Sequence, residues 1–405
     1  MRILLASIYP FAFLLLYLII PFDEYIRALP NILLGLLVVV FPFIVNKDDL
    51  KKLVKKPALL FLAFFVFLVG NSLLNGRIEE DFYILKKILI AVGLVLLYIP
   101  VQDFKKIDKA IIFSALAAML FSLVNVFLLN DISSFETKNP IDILLVDRLY
   151  LGLLSVLSIL VSYKSIRPKF HSNNQFYLGN IILNIVFLFI IGSKVALVIL
   201  VALLLLRQFY GPRRKLRMLI MAGVLALTSV VLISSESNFV KNYLNGSGVK
   251  AEQRYKEASL HMDFREIIWK CAYEMGVAKE NNFFGIGFNG TKKELIACYD
   301  QRIVDTKTKN FFRSNKFNTH NQFMDFYLST GYVGVVLFIG ILLTLFFQYR
   351  KQFFPVALLV TIVMFGMAES FFHRQIGAYY FGFILIVLLS NNTFLQRSSE
   401  NSVET

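Results

Sequence analysis

Charge is what this sequence has least of. Only 17% of its 405 residues are charged and 57% are hydrophobic, whereas a soluble domain averages about a quarter charged. Cysteine occurs twice and tryptophan once. The two cysteines do not have zinc-type spacing, and no phosphate-binding glycine loop is present. There is no internal repeat, no low-complexity tract, and no small-residue cleavage site after the first apolar run, Ile3 to Ile20. The excess is apolar bulk: 41 Phe and a mean hydropathy of +0.66. A soluble surface does not hide such a composition, so the class is polytopic membrane protein.

The net charge of +15 invites a nucleic-acid reading, but its distribution argues against one. The Lys and Arg lie mostly in short loops between apolar runs, as membrane topology requires. Spans are expected at 3–20, 31–46, 58–75, 83–100, 110–129, 149–163, 176–192, 194–206, 218–234, 322–347, 353–371 and 377–391. That makes about twelve transmembrane helices by the ~20-residue criterion, several of them short. The 176–206 region reads either as two short helices meeting near Ser193 or as one long helix with a re-entrant piece. Alternate loops hold Lys47, Lys51, Lys52, Lys55 and Lys56, then Lys105, Lys106 and Lys109, then Lys164, Arg167 and Lys169, then Arg207, Arg213, Arg214, Lys215 and Arg217, then Arg350 and Lys351. The opposite set is sparse: Arg27, Arg77, Lys138, Arg148, Lys194 and Arg374. Both termini are therefore expected in the cytoplasm and the long polar segment outside, in the periplasm of a Gram-negative cell.

The expected organisation is spans over 1–234, a mainly helical external domain over 235–321, spans over 322–391, and a cytoplasmic tail over 392–405. Within the external domain, Asn242 to Gly248 reads as a turn and Val249 to Leu260 has helical spacing. Asp263 to Lys279 is the best helix, with Asp263 as a plausible N-cap and Ile267, Ile268, Cys271 and Met275 as one apolar stripe. Asn281-Asn282 with Gly285, Gly287 and Gly290 ends it in a tight loop. Cys271 and Cys298 either pair or remain two free thiols.

Charges inside apolar spans cost about 2.5–3.5 kcal/mol each near a helix centre and need a reason. Lys86 and Lys87 lie one turn inside the external end of a span, and Lys194 lies at another external end behind Gly192-Ser193. Each either snorkels to lipid head groups or joins a cationic pocket for a phosphate. Arg265 is a solvated surface residue or an anion ligand. His320 stands where the polar segment meets an apolar run, and it is an interfacial histidine or a general base. Asp325, five residues on, orients its ring only if the helix start is irregular. Glu369 and Arg374 flank the last external turn and could join a charged cluster around His320. His261 and His373 are less favoured.

The order of these parts resembles the O-antigen ligase family and the superfamily it shares with O-antigen polymerases. Ser193-Lys194 stands where that family usually has Ser-Arg or Thr-Arg. The helix with Arg265, Trp269 and Glu274, followed by Asn282-Phe-Phe-Gly-Ile-Gly-Phe, is similar to its Arg…Pro-x-x-Gly-x-Gly stretch. His320-Asn321 with Gly331 and Gly334 is similar to its His-Asn/Ser…Gly-x-x-Gly signature. Two positions depart from the pattern. Lys194 keeps a charge but loses bidentate phosphate geometry, and Asn282 replaces the usual Pro.

The resemblance implies an inner-membrane glycosyltransferase of the GT-C kind that needs no metal or other cofactor. It would move a glycan from undecaprenyl diphosphate to a sugar hydroxyl of lipid A-core in lipopolysaccharide biosynthesis, with inversion. Lys86, Lys87, Lys194 and Arg265 would bind the diphosphate, and His320 would take the acceptor proton. Asn321, Asp325, Glu369 and Arg374 form a second tier. Nucleic acid is not an expected partner. A polymerase is the nearest alternative, with the same donor and a second lipid-linked glycan as acceptor. The short external loop over 130–148 favours a ligase, because polymerases often carry two sizeable external loops. A transporter would be expected to show repeated halves, and none are present.

Overall fold

The structure, a computed structural model, describes residues 2–23, 25–46, 50, 56–101, 104–124, 147–167, 171–210, 265–276, 283–303 and 306–390. Every regular element among them is helical. In chain order they are α1 (Arg2–Ile19), α2 (Leu29–Ile44), α3 (Lys56–Leu74), α4 (Ile78–Tyr98), α5 (Phe104–Val124), α6 (Arg148–Ser165), α7 (Ser172–Ile190) and α8 (Lys194–Gln208). Then come α9 (265–276), α10 (Phe288–Arg302), α11 (Thr306–Asn315), α12 (Gln322–Tyr349), α13 (Phe353–Ala368) and α14 (Gln375–Ser390), with a 3-10 turn at Phe371–His373.

Five of these are long and apolar enough to cross a membrane: Ile3–Phe22, Pro57–Leu74, Lys106–Val124, Ser172–Ile190 and Gln322–Tyr349. The described residues are all-helical and belong to a multi-pass membrane protein. The expected span at 218–234 lies outside the described residues. So do Val249 to Leu260, His261, Asp263, Asn281-Asn282 and the tail from 392. Each other expected span overlaps one of the helices.

Burial sorts the helices into two kinds. The centre is α14 packed along α4, with α6 and α13 beside them. Tyr150 to Ser162 of α6 and Tyr379 to Leu389 of α14 are buried throughout. Helices covered on all sides need no lipid-facing stripe, and α13 ends after 16 residues. The outer helices α2, α3, α7 and α12 each keep an exposed apolar stripe. Buried Asn180 and Asn184 of α7 donate through Nδ2 to Ser158 and Ser162 of α6, which ties these two helices together by polar contacts.

Three boundaries matter for the site. Helix α4 begins at Ile78, earlier than its apolar run, because Glu79, Glu80 and Asp81 form an acidic first turn that suits a helix N-terminus. Helices α7 and α8 are two helices broken at Gly192, which has a φ of +58, so the two-helix reading of 176–206 holds. Helix α13 ends at Ala368, which leaves Glu369 outside it in the connecting turn.

The described part of the external segment has its own small core. Ile268, Cys271, Ala272 and Met275 of α9 meet Leu295 and Tyr299 of α10, Phe312 of α11 and Leu328 of α12. The predicted apolar stripe of α9 is the stripe that is buried. Cys271 and Cys298 are joined in a disulfide with a Cα–Cα distance of 5.9 Å, so they pair.

Helix α12 is broken at Gly331, where φ is +71 and ψ is −169. The break frees backbone groups, and a second chain segment takes them up. Ile286 and Gly287 donate N–H to the carbonyls of Leu328 and Ser329 at 3.0 and 2.9 Å, and Val333 donates to the carbonyl of Phe283. A Cβ on Gly285 would stand 2.3 Å from the Ser329–Thr330 backbone, and its φ is +67. Gly285 and Gly287 thus meet the Gly331 break in one joint.

Candidate active site

The start of α12 is fastened to the α13–α14 turn almost residue by residue. Thr319 Oγ1 and Ser370 Oγ lie 2.9 Å apart, and the Asn321 N–H donates to the same Ser370 hydroxyl at 3.1 Å. The Phe372 N–H donates to Gln322 Oε1 at 3.1 Å. Asn321 Oδ1 caps the helix by accepting from the N–H groups of Phe323 and Met324.

His320 sits one residue before that cap with φ +44. This left-handed conformation is uncommon for a side chain other than Gly or Asn, and such strain collects at functional positions. It is held by the His320 N–H donating to Asn318 Oδ1. The ring Nδ1 lies 2.9 Å from Glu369 Oε2. With Nδ1–H donating to that carboxylate, Nε2 carries the basic lone pair.

Glu369 is buried. Burial works against its charged form, but His320, Arg374 and Arg265 overcome this and hold its carboxyl below the usual carboxylate range. Arg265 is therefore within electrostatic reach of the pair. Its helix is located by the Trp269 Nε1–H donating to the Thr319 carbonyl at 3.1 Å, and by the disulfide to α10.

Asp325 does not orient His320. Its Oδ2 lies 3.0 Å from Nε2 of His373, a residue the sequence ranked low. The carbonyl of His373 accepts from Lys87 Nζ. Lys87 also stands over the Tyr83 ring, 5.5 Å from its centroid. Three more cations are within electrostatic reach of Lys87: Lys292, Lys86 and Arg374. Arg374 pairs with Asp147 at 3.3 Å and stacks on Tyr150. Lys292, from the second turn of α10, was not singled out in the sequence. The only signal was its place two residues after Gly290.

Lys194 is exposed at the start of α8, and among the described residues no hydrogen bond or ion pair joins it to this cluster. It is at the same end of the bundle. Helices α8 and α13 run antiparallel, with Arg207 near Phe353 at the far end. Ser193 lies so close to α6 that a Cβ on Gly152 would stand 2.4 Å from its hydroxyl.

A buried carboxylate orienting an imidazole, beside several cations, suits proton removal next to an anionic leaving group. Residues 179–339 match the O-antigen ligase family model. The chain carries an O-antigen ligase domain. The matched stretch takes in Lys194, Arg265, Lys292 and His320, while Lys87, Glu369 and Arg374 come from outside it. No curated protein matches the sequence. The O-antigen ligase match gives coarse support for an enzyme of the glycosyltransferase kind.

Proposed function

We propose that this protein is an O-antigen ligase, which transfers a glycan from undecaprenyl diphosphate to a sugar hydroxyl of lipid A-core on the periplasmic side of the inner membrane. The observation that carries the reading is the His320–Glu369 pair set beside Lys87, Lys86, Lys292, Arg265 and Arg374. The disulfide supports an oxidising compartment for that end of the molecule.

Nε2 of His320 takes the proton of the acceptor hydroxyl. The oxygen then attacks the anomeric carbon from the face opposite the diphosphate. The bond between that carbon and the phosphate oxygen breaks, and its electron pair leaves with the diphosphate, which gives inversion. Glu369 stabilises the imidazolium that forms. Lys87 and its neighbours neutralise the charge developing on the leaving group. Lys194 contributes from the edge of the site.

The test is lipopolysaccharide banding from a ligase-null host expressing the chain, beside His320→Ala. A ladder on lipid A-core with the wild type and none with the variant is expected, since general-base catalysis contributes about 100- to 10,000-fold. Lengthening of single-repeat chains in a polymerase-null host, with no ladder in the first host, would assign the polymerase reaction instead. A variant as active as the wild type would remove His320 from the chemistry whichever acceptor is used.

A further inference from the structure

The segment Phe283–Gly287 belongs by sequence to the polar external domain, yet its surroundings are not those of an aqueous loop. Phe283 and Phe284 are 54% and 57% exposed, and both carry large apolar rings. Beside them, at the end of α3, Leu73 is 56% and Leu74 90% exposed. The two segments are joined, because Asn71 Nδ2, in the last turn of α3, donates to the carbonyl of Phe284 at 2.7 Å. On the other side the Phe283 ring meets Tyr332 edge-on, with centroids 6.3 Å apart.

Tyr332 is the first member of an exposed stripe on α12 that continues through Val336, Ile339, Leu343 and Phe347. From Tyr332 to the helix end at Tyr349 is about 27 Å at 1.5 Å per residue, close to the thickness of a hydrocarbon core. The Gly331 break therefore falls at the outer face of the bilayer, and Phe283 and Phe284 lie level with it.

The backbone of this segment is also prepared for an apolar medium. Irregular chain is tolerated at membrane depth only where its polar groups are satisfied by protein. The carbonyls of Phe283, Phe284 and Gly285 accept in turn from Val333 N–H, Asn71 Nδ2 and Arg77 Nη1. The amides of Ile286 and Gly287 donate to the opened carbonyls of α12. An aqueous loop would not need this, since water would serve.

We propose that Phe283–Gly287 is seated in the outer leaflet, with Phe283 and Phe284 among the lipid chains beside Leu73, Leu74 and Tyr332. This surface is a membrane anchor. It fixes the height of α9 and α10, and with them Arg265 and Lys292, over the bilayer. The proposal rests on α3 and α12 crossing the membrane, and it does not depend on which glycan is moved.

The test is spin-label depth measurement on the full chain in vesicles of phosphatidylethanolamine and phosphatidylglycerol. Labels are placed at Phe284→Cys and, as a second site on the same patch, at Leu74→Cys. The native cysteines are joined and take no label. Leu343→Cys is the lipid reference and Ser314→Cys the aqueous one. The expected result at 284 and 74 is collision with oxygen several-fold more frequent than with a water-soluble nickel chelate, as at 343. Collision dominated by the chelate, as at 314, would overturn the proposal, because the rings would then face water or a soluble glycan. Low collision with both would also overturn it, because a second protein chain would then cover the patch. No outcome depends on glycan transfer.

Discussion

At the scale of single residues, the decisive contact is the 2.9 Å pair between His320 Nδ1 and Glu369. Substituting Glu369→Gln keeps the shape and removes the charge that stabilises an imidazolium. A charge-assisted hydrogen bond contributes about 1.5–3 kcal/mol. A kcat drop of about 10- to 100-fold with donor KM little changed is therefore expected. A KM effect alone would mean that Glu369 serves binding. Stability gives a second reading of the same pair. The folded Glu369 carboxyl titrates below its ordinary range, so its stabilisation is fully present above the unfolded value. It is lost as pH falls through the depressed folded value. In detergent, wild type should melt above Glu369→Gln near pH 6, with the margin closing as pH falls through the carboxylate range. A margin independent of pH in acid would show that the carboxylate is not the source.

Elements explain why some of this was legible in the sequence and some was not. Helix periodicity found the buried stripe of α9, because Ile268, Cys271 and Met275 are local neighbours. The partner of Asp325 was not local. Five residues turn a helix through about 140° past a full revolution, so Asp325 faces away from His320 and towards the α13–α14 turn, where His373 waits. Glu369 was visible as a charge at the end of a span that could join a cluster around His320, but nothing in the sequence says that it meets Nδ1 of that ring. Gly285, Gly287 and Gly331 stood out among the glycines of the motif, but their reason is the joint between the broken α12 and the segment before α10. That joint makes a definite forecast. Gly285→Ala places a Cβ 2.3 Å from backbone and should lower the melting temperature and the yield of folded protein. Gly331→Ala forces a positive φ on a side-chain residue, a cost of about 1–3 kcal/mol. Gly340→Ala, in open space on the same helix, should be neutral or stabilising. Equal tolerance at all three positions would mean that the joint is not structural.

For the whole molecule, the alternation of basic loops has a geometric counterpart. The loops assigned to the cytoplasm converge on one end of the bundle: Tyr210 OH donates to the Arg350 carbonyl, Arg207 stands over Phe353, and Lys164 stands over Phe354. The other end gathers Arg77, Asp147, Arg374, His320 and the disulfide-linked helices. For these three loops, charge counting and packing group the same residues. Geometry alone does not say which end faces out; from the positive-inside bias we propose that the basic end is the cytoplasmic one. Its consequence can be measured with a membrane-impermeant maleimide, because the wild type has no free thiol among the described residues and gives a clean background. Ser314→Cys should label in intact spheroplasts. Gln208→Cys, at the end of α8, should label only after permeabilisation. The reverse pattern would invert the molecule, place His320 and its cations in the cytoplasm, and remove the periplasmic reaction altogether. It would also leave the Cys271–Cys298 bond in a reducing compartment, where such bonds do not persist. The disulfide and the labelling must therefore stand or fall together.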